Sequence, residues 1–411
     1  MARQRKGANL DALASLAEHA KANGDPSEFL SGAFVNSDFL IVLGGCIEFD
    51  SEIPEYEQKR IITKVAFDSS ISGPIRAENL ISECTKYERA YLAIPKQNFR
   101  LLTEISIYWT IDVPKVVIND ATLVFKPKGN VGFSARSELF EESKRSVGFE
   151  LPQHYMRLSA QISARTPHEA AERALNSIDL ARASWNLSLN RGKSWRYSGG
   201  RPSPVNDIRL SPFHTIHDAK GSLAAGTYWY DPGYNRPANI FSDKQKFARL
   251  LSFSSNLRSR LAKLSYRSEI EGALIRYVRA LDSADLNDTF LRLWSLLEYL
   301  TDSTHDSYKV ATRRAAFMFA DRARSQLVLT HLTNHRNRFV HAGSDTDDIE
   351  SLVFQLKRYV DSLLLFHLGN KFGFSTRNEA ALFMDLPPSK SELKLRIKRL
   401  LDAKKFIGDD A

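Results

Sequence analysis

The run Asp288-Thr289-Phe290-Leu291-Arg292-Leu293-Trp294-Ser295-Leu296-Leu297-Glu298-Tyr299-Leu300 decides how the C-terminal part of the chain folds. Phe290, Leu293, Trp294, Leu297 and Leu300 recur at spacings of three and four. Side chains so spaced share one face of an α-helix, and a face that apolar has to be buried against other helices. The neighbouring segments repeat the pattern. Leu250, Leu251, Phe253, Leu257, Leu261 and Leu264 mark a helix before it, and Ile270, Ala273, Leu274, Val278 and Leu281 mark a second. Tyr308 to Ala320, Gln326 to Val340 and Asp348 to Leu368 follow with short connections. Residues 243–372 therefore predict an all-α antiparallel helical bundle. Residues 373–411 form a basic tail in which Leu393, Ile397, Leu400 and Leu401 make one helical face, expected to rest on the body.

Upstream the texture differs. Residues 8–22 predict a helix closed by Asn23-Gly24-Asp25-Pro26. Between about 37 and 150, short runs rich in β-branched and aromatic residues read as strands: Phe39–Leu43, Ile61–Phe67, Arg100–Thr110, Lys115–Ile118 and Thr122–Phe125. Tyr155–Ile162 alternates with period two, and Thr166 with Glu169 forms a capping box that opens a helix. Residues 201–240, rich in Pro and Gly, predict irregular structure or short strands. The fold class is α+β. A mostly antiparallel β domain with flanking helices occupies 1–242, followed by the bundle and the tail.

Composition narrows the functions. A length of 411 residues predicts two domains, and 43% hydrophobic with 26% charged residues is that of a soluble globular chain. The net charge of +9 mildly favours a polyanionic partner. Cys46 and Cys84 stand outside any CxxC or Cys/His spacing, so neither a zinc site nor a disulfide framework is expected. The basic start Met1 to Lys6 is not followed by an apolar signal core, and Phe39–Leu43 is too short to span a bilayer. A cytoplasmic location with no membrane partner and no cofactor is expected. Glu48, Asp50, Glu52, Glu55 and Glu57 form an acidic patch, read as a solvated loop in preference to a metal site.

The chemistry-bearing stretch is Arg336-Asn337-Arg338-Phe339-Val340-His341-Ala342-Gly343. An Arg/His pair alone is cheap: Arg209…His214 and Arg324…His331 also occur. Only the third pair combines an adjacent Asn, a helix leading in and a Gly two residues beyond the His. RNA carries its own nucleophile, the 2′-OH. Its cleavage needs a base, a cation for the charge gathering on the phosphate, and an acid for the leaving oxygen. Histidine titrates near neutrality, and the arginine fork fits phosphate oxygens. Asn337 and His341 share a face on a continuing helix, whereas Arg336 sits about 140° round the cylinder from His341. Convergence then requires either unwinding at that point or a second copy. The competing account has Arg336 paired with Asp345 or Asp347 and His341 merely capping the helix.

The segment 286–369 resembles the HEPN domains, in particular the Apea-like group. The Leu293-Trp294…Leu297-Glu298-x-Leu300 helix and the Arg336-Asn337-x-x-x-His341 motif carry the resemblance. It implies a bundle that pairs two copies through the motif helices and cleaves RNA without metal, commonly in toxins and phage-defence effectors. On that resemblance His341 is general base or acid, Arg336 the phosphate ligand, Asn337 a polar orienter and Glu298 a helper. Glu298 equally fits an internal salt bridge. Arg338 adds a further cation for RNA. The loop Arg191 to Arg201, with Lys193, Trp195, Arg196 and Tyr197, combines positive charge and aromatic faces as single-stranded RNA binders do. Transfer RNA is the target expected by analogy, and a homodimer the expected assembly. The alternative is a non-catalytic dimerisation or RNA-binding module acting through a partner.

Overall fold

The computed structural model describes residues 1–23, 33–50, 52–71, 75–108, 115–126, 134–193, 204–234, 240–304, 307–342 and 348–407. The protein is α+β, with fourteen helices and one six-stranded antiparallel sheet among these residues. The sheet contains β3 (Gln97–Ile105), β4 (Val116–Ile118), β5 (Ala121–Lys126), β6 (Met156–Ala164), β7 (Phe213–His217) and β8 (Leu223–Tyr230), in the order β4-β5-β6-β3-β7-β8. The longest pairing joins β3 to β6, from Gln97 opposite Ala164 to Ile105 opposite Met156. β7 and β8 form a hairpin within the Pro/Gly-rich stretch.

Four helices precede the sheet: α1 (Leu10–Asn23), α2 (Ala33–Cys46), α3 (Glu55–Ile71) and α4 (Ala77–Leu92). A short pair of strands, β1 (Arg3–Gln4) and β2 (Ile47–Glu48), ties the first residues to the end of α2. Leu10, Leu43, Ile47, Val65, Leu80 and Cys84 make their common core, separate from the core of the rest. Two expected strands are thus helices: Phe39–Leu43 lies in α2 and Ile61–Phe67 in α3. A short apolar run bears no period of its own, and the polar sequence around each run continues a helix.

The acidic residues 48–57 are largely spent on internal cations. Glu48 pairs with Arg3 at 2.9 Å, Glu52 with Arg165 at 2.9 Å, Glu55 with Lys59 at 2.7 Å and Glu57 with Arg60 at 2.6 Å. Among the described residues, no three His, Cys, Asp or Glu side chains are grouped to hold a metal ion.

Beyond α5 (Ser134–Val147), the element that organises the larger core is α6 (Pro167–Asn190). Thr166 accepts the Glu169 backbone N–H at 3.2 Å, and Pro167 supplies the first helical position. Glu169 accepts in return from Arg165 N at 2.8 Å and from the Tyr91 hydroxyl at 2.7 Å. The capping box therefore also anchors the N-terminal helices. α6 is buried along most of its length, packing against the sheet and against α7 (Lys244–Leu261) and α8 (Arg267–Asp282). The helices that follow are α9 (Leu286–Leu300), α10 (Tyr308–Ala316), α11 (Arg322–Ala342), α12 (Ile349–Gly369), α13 (Arg377–Met384) and α14 (Lys390–Ile407). α9 lies against α8 and α12. One core runs from Phe99 in the sheet to Met384, so the boundary expected at 242 is crossed by continuous packing. α14 has no buried residue, and Leu400 is 69% exposed, so the tail helix does not rest on the body as expected. No helix among the described residues is long and apolar enough to cross a membrane.

Candidate functional site

α9 and α11 carry the residues that the motif singles out. α9 begins at Asp285, whose carboxylate accepts the backbone N–H of Asn287 at 2.8 Å, and it buries Phe290, Leu293, Trp294, Leu297 and Leu300. The burial fixes the helix in rotation and leaves Glu298 on the flank, one turn beyond Trp294. The indole N–H of Trp294 donates to Glu298 Oε1 at 2.8 Å. Burial raises the Glu298 carboxyl above its usual range, against the opposing effects of the indole hydrogen bond and the Arg336 charge. A carboxyl held up in this way retains a proton more readily than a solvated one.

α11 points Leu329, Leu332 and His335 into the core, leaves Arg336 and Asn337 half-buried, and exposes Arg338. The Arg336 guanidinium stacks over the Tyr308 ring, 4.6 Å from its centroid, and donates to Asn337 Oδ1 at 3.3 Å. Tyr308 in turn meets Trp294 edge-on, with centroids 6.3 Å apart. Arg336 has no ion pair among the described residues; its expected competitors Asp345 and Asp347 lie outside them. The structure thus gathers Trp294, Glu298, Tyr308, Arg336 and Asn337 into one array. It offers a fixed cation, an amide and a desolvated carboxyl in one place.

His341 stands in the last turn of α11, and its side chain lies outside the described residues, as does Gly343. The backbone remains helical through Ala342. No unwinding therefore separates Arg336 from His341, which stand about 140° apart, while Asn337 and His341 stand about 40° apart.

The sequence missed two neighbours. Tyr308 opens α10 and belongs to no periodic motif; only the packing of α10 beside α11 brings it under Arg336. His335 is buried and edge-on to Phe290 at 4.9 Å, with its Nε2 lacking a hydrogen-bond partner. Burial, then the charges of Arg338 and His331, hold its pKa below the ordinary value. It is a neutral packing residue despite its place beside the motif.

The other Arg/His pairs behave differently. Arg209 and His214 are both buried, His214 accepting or donating at Thr103 Oγ1 over 2.7 Å. Arg324 and His331 are exposed, as is Leu327 between them, while Leu329 on the opposite side of the same helix is buried. Of the proposed RNA-binding loop, Trp195, Arg196 and Tyr197 lie outside the described residues. The Lys193 ammonium donates to Val205 O at 2.5 Å and to Asp207 Oδ1 at 2.8 Å, fastening the loop to the body.

Compared with family models, curated proteins and solved structures, the chain matches none of them.

Proposed function

We propose that the protein is a metal-independent endoribonuclease of the HEPN type, similar to the Apea-like group, acting as a homodimer. The observation that carries this reading is Arg336, stacked on Tyr308 beside Glu298, on one unbroken helix with Asn337 and His341. Because that helix does not unwind, a phosphate is reached by both Arg336 and His341 when a second copy faces the first across a dyad. The 2′-oxygen then attacks phosphorus as one His341 takes its proton. Arg336 balances the charge on the non-bridging oxygens. The P–O5′ bond breaks as the same His341 gives that proton to the leaving oxygen, leaving a 2′,3′-cyclic phosphate and a 5′-OH. Asn337 orients the reacting groups, Glu298 is a helper, and Arg338 is an additional contact to RNA. A cytoplasmic toxin or anti-phage effector, with transfer RNA among its targets, is the biological setting this chemistry serves.

A second reading is favoured by one feature. Glu298 and Arg336 already have partners within the chain, Trp294 and Tyr308. A bundle that only dimerises or holds RNA for a partner protein would need no more.

Incubation of the purified protein with total RNA and transfer RNA in EDTA decides between them. The nuclease reading expects discrete fragments ending in 2′,3′-cyclic phosphate from the wild type, and losses of about 100-fold or more in His341→Ala and Arg336→Ala at unchanged thermal stability. Cleavage by either variant at the wild-type rate removes that residue from the site.

A further inference from the structure

The tail helix α14 (Lys390–Ile407) has no buried residue. Most helices owe their stability to the packing of an amphipathic face, so an uncovered helix calls for a surface that covers it. Its start is fixed locally: the Ser389 hydroxyl accepts the Glu392 backbone N–H at 3.1 Å, directly after Pro387-Pro388. Its base is pinned to the bundle. Asp385, just past α13, accepts from Arg313 at 2.7 Å and from Arg314 at 2.8 Å. α14 is therefore an arm carried on a fixed base.

Six of the sixteen large apolar side chains that are exposed among the described residues lie in this one helix. At helical spacing Leu393, Ile397, Leu400, Leu401 and Ile407 fall within an arc of about 120°. Leu395 and Phe406 lie outside it. Lys390, Lys394, Lys398 and Lys405 run along one edge of the arc, and Arg396 stands at the other. All five are exposed, and the helix carries seven Lys and Arg against two acids, Glu392 and Asp402. Exposed apolar residues scattered singly are ordinary, whereas a contiguous apolar arc edged by charge of one sign marks a surface for a partner.

The partner has to be apolar and anionic at once. A strand of RNA would meet the lysines but leave the arc in water. A second copy of α14 would cover the arc but bring two strongly basic helices together. An acidic groove on another protein would have to bury Lys404, which lies within the arc. At a bilayer surface the stem of that lysine rests among the apolar side chains while its ammonium reaches the headgroup phosphates. We infer that α14 docks on the surface of a membrane bearing anionic headgroups. It lies in the interface, with the apolar arc towards the acyl chains and the lysine edge on the phosphates. A helix lying in this way needs no spanning segment, and no helix among the described residues is long and apolar enough to be one. The expectation of no membrane partner considered only spanning segments. Docking of this kind is independent of whether the Arg336 site cleaves RNA.

The test is co-sedimentation of the full chain with phosphatidylcholine vesicles, with and without phosphatidylglycerol. Binding to the anionic vesicles is expected to be about tenfold or more tighter than to the neutral ones. The pair Ile397→Asp with Leu400→Asp, and the pair Lys394→Glu with Lys398→Glu, should each weaken it about tenfold or more. The melting temperature should not change, because none of these side chains is packed on the body. Lys394→Arg with Lys398→Arg should retain binding. Failure to bind anionic vesicles overturns the inference. So does binding that the aspartate pair leaves intact, which is adsorption by charge alone. Labelled single-stranded RNA is titrated alongside in a His341→Ala background, so that it stays intact. RNA binding lost in the glutamate pair, without vesicle binding, would assign the lysine edge to RNA and overturn the docking. A dimer that the aspartate pair dissociates, without vesicle binding, would assign the arc to a second copy and overturn it equally. Cleavage is read in none of these arms, so failure of the nuclease reading leaves their outcomes unchanged.

Discussion

At the scale of single residues, Glu298 separates a structural role from a chemical one. Glu298→Gln retains an oxygen to accept the Trp294 indole N–H but cannot release or take a proton. On the nuclease account, cleavage falls about 10- to 100-fold in this variant with an unchanged melting temperature. Cleavage at the wild-type rate would leave Glu298 as an anchor for the indole and nothing more. The residues of the array were unequally legible in the sequence. Arg336 and Asn337 stand out as a motif in the chain, whereas Glu298 comes only from the resemblance to the HEPN domains. Tyr308 does not stand out, since its place under Arg336 depends on the path of the connection between α9 and α10 and on how α10 and α11 pack. Lys193 is expected from its loop to meet RNA, but its ammonium is held by Val205 O and Asp207, which come from a separate segment.

At the scale of elements, the long helices after residue 243 are plain because amphipathic segments of 15 residues or more repeat their period several times, whereas the eight-residue Arg377–Met384 helix is too short to be read. The runs Phe39–Leu43 and Ile61–Phe67 read as strands because five to seven residues are too few to show a helical period. What settles them is the longer setting: α3 opens with Glu55 and Glu57 in its first turn, an acidic start suited to a helix N-terminus. The tail shows the same limit from the other side. The pattern of α14 is amphipathic, yet no partner within the chain covers it. Removing residues 390–411 should therefore shift the thermal midpoint of the body by no more than about 2 °C, because little buried surface is lost. A drop of ten degrees or more in differential scanning fluorimetry would mean that the helix packs on the body after all.

At the scale of the whole molecule, α6 packs against both the sheet and the helices of the bundle, and a buried charge network joins it to α8. Arg182 donates to Asp179 at 2.8 Å and to Asp282 at 2.7 Å, while Arg279 donates to Asp179 at 2.7 Å. Arg182→Ala would leave Asp179 beside a cavity but still paired with Arg279, and a loss of about 2–3 kcal/mol in chemical denaturation is expected. A loss below 1 kcal/mol would show that the network contributes little. Two buried histidines contribute to the acid response. Burial holds His214 down to about 3 and His367 down to about 4. In the unfolded chain both titrate at about 6.5, so between these values the unfolded state binds more protons and stability falls as pH falls. Each contributes a loss of about 1.4 kcal/mol per pH unit from about 6.5 down to its own folded value, and nothing above pH 7. Denaturation midpoints at pH 7.5 and pH 5.0 measure this, and His367→Gln should flatten the dependence.

The continuity of α11 through Ala342 makes the shared site the point on which the functional account turns. Arg336→Ala and His341→Ala proteins should be assayed on RNA alone and after mixing under conditions of subunit exchange. The account predicts that each variant alone is inactive. The mixture should recover about a quarter of wild-type activity, since half the dimers are mixed and each carries one intact Arg/His pair. Wild-type cleavage by either variant alone would contradict the assignment of the site, and a mixture as inactive as its components would contradict a site built from two copies.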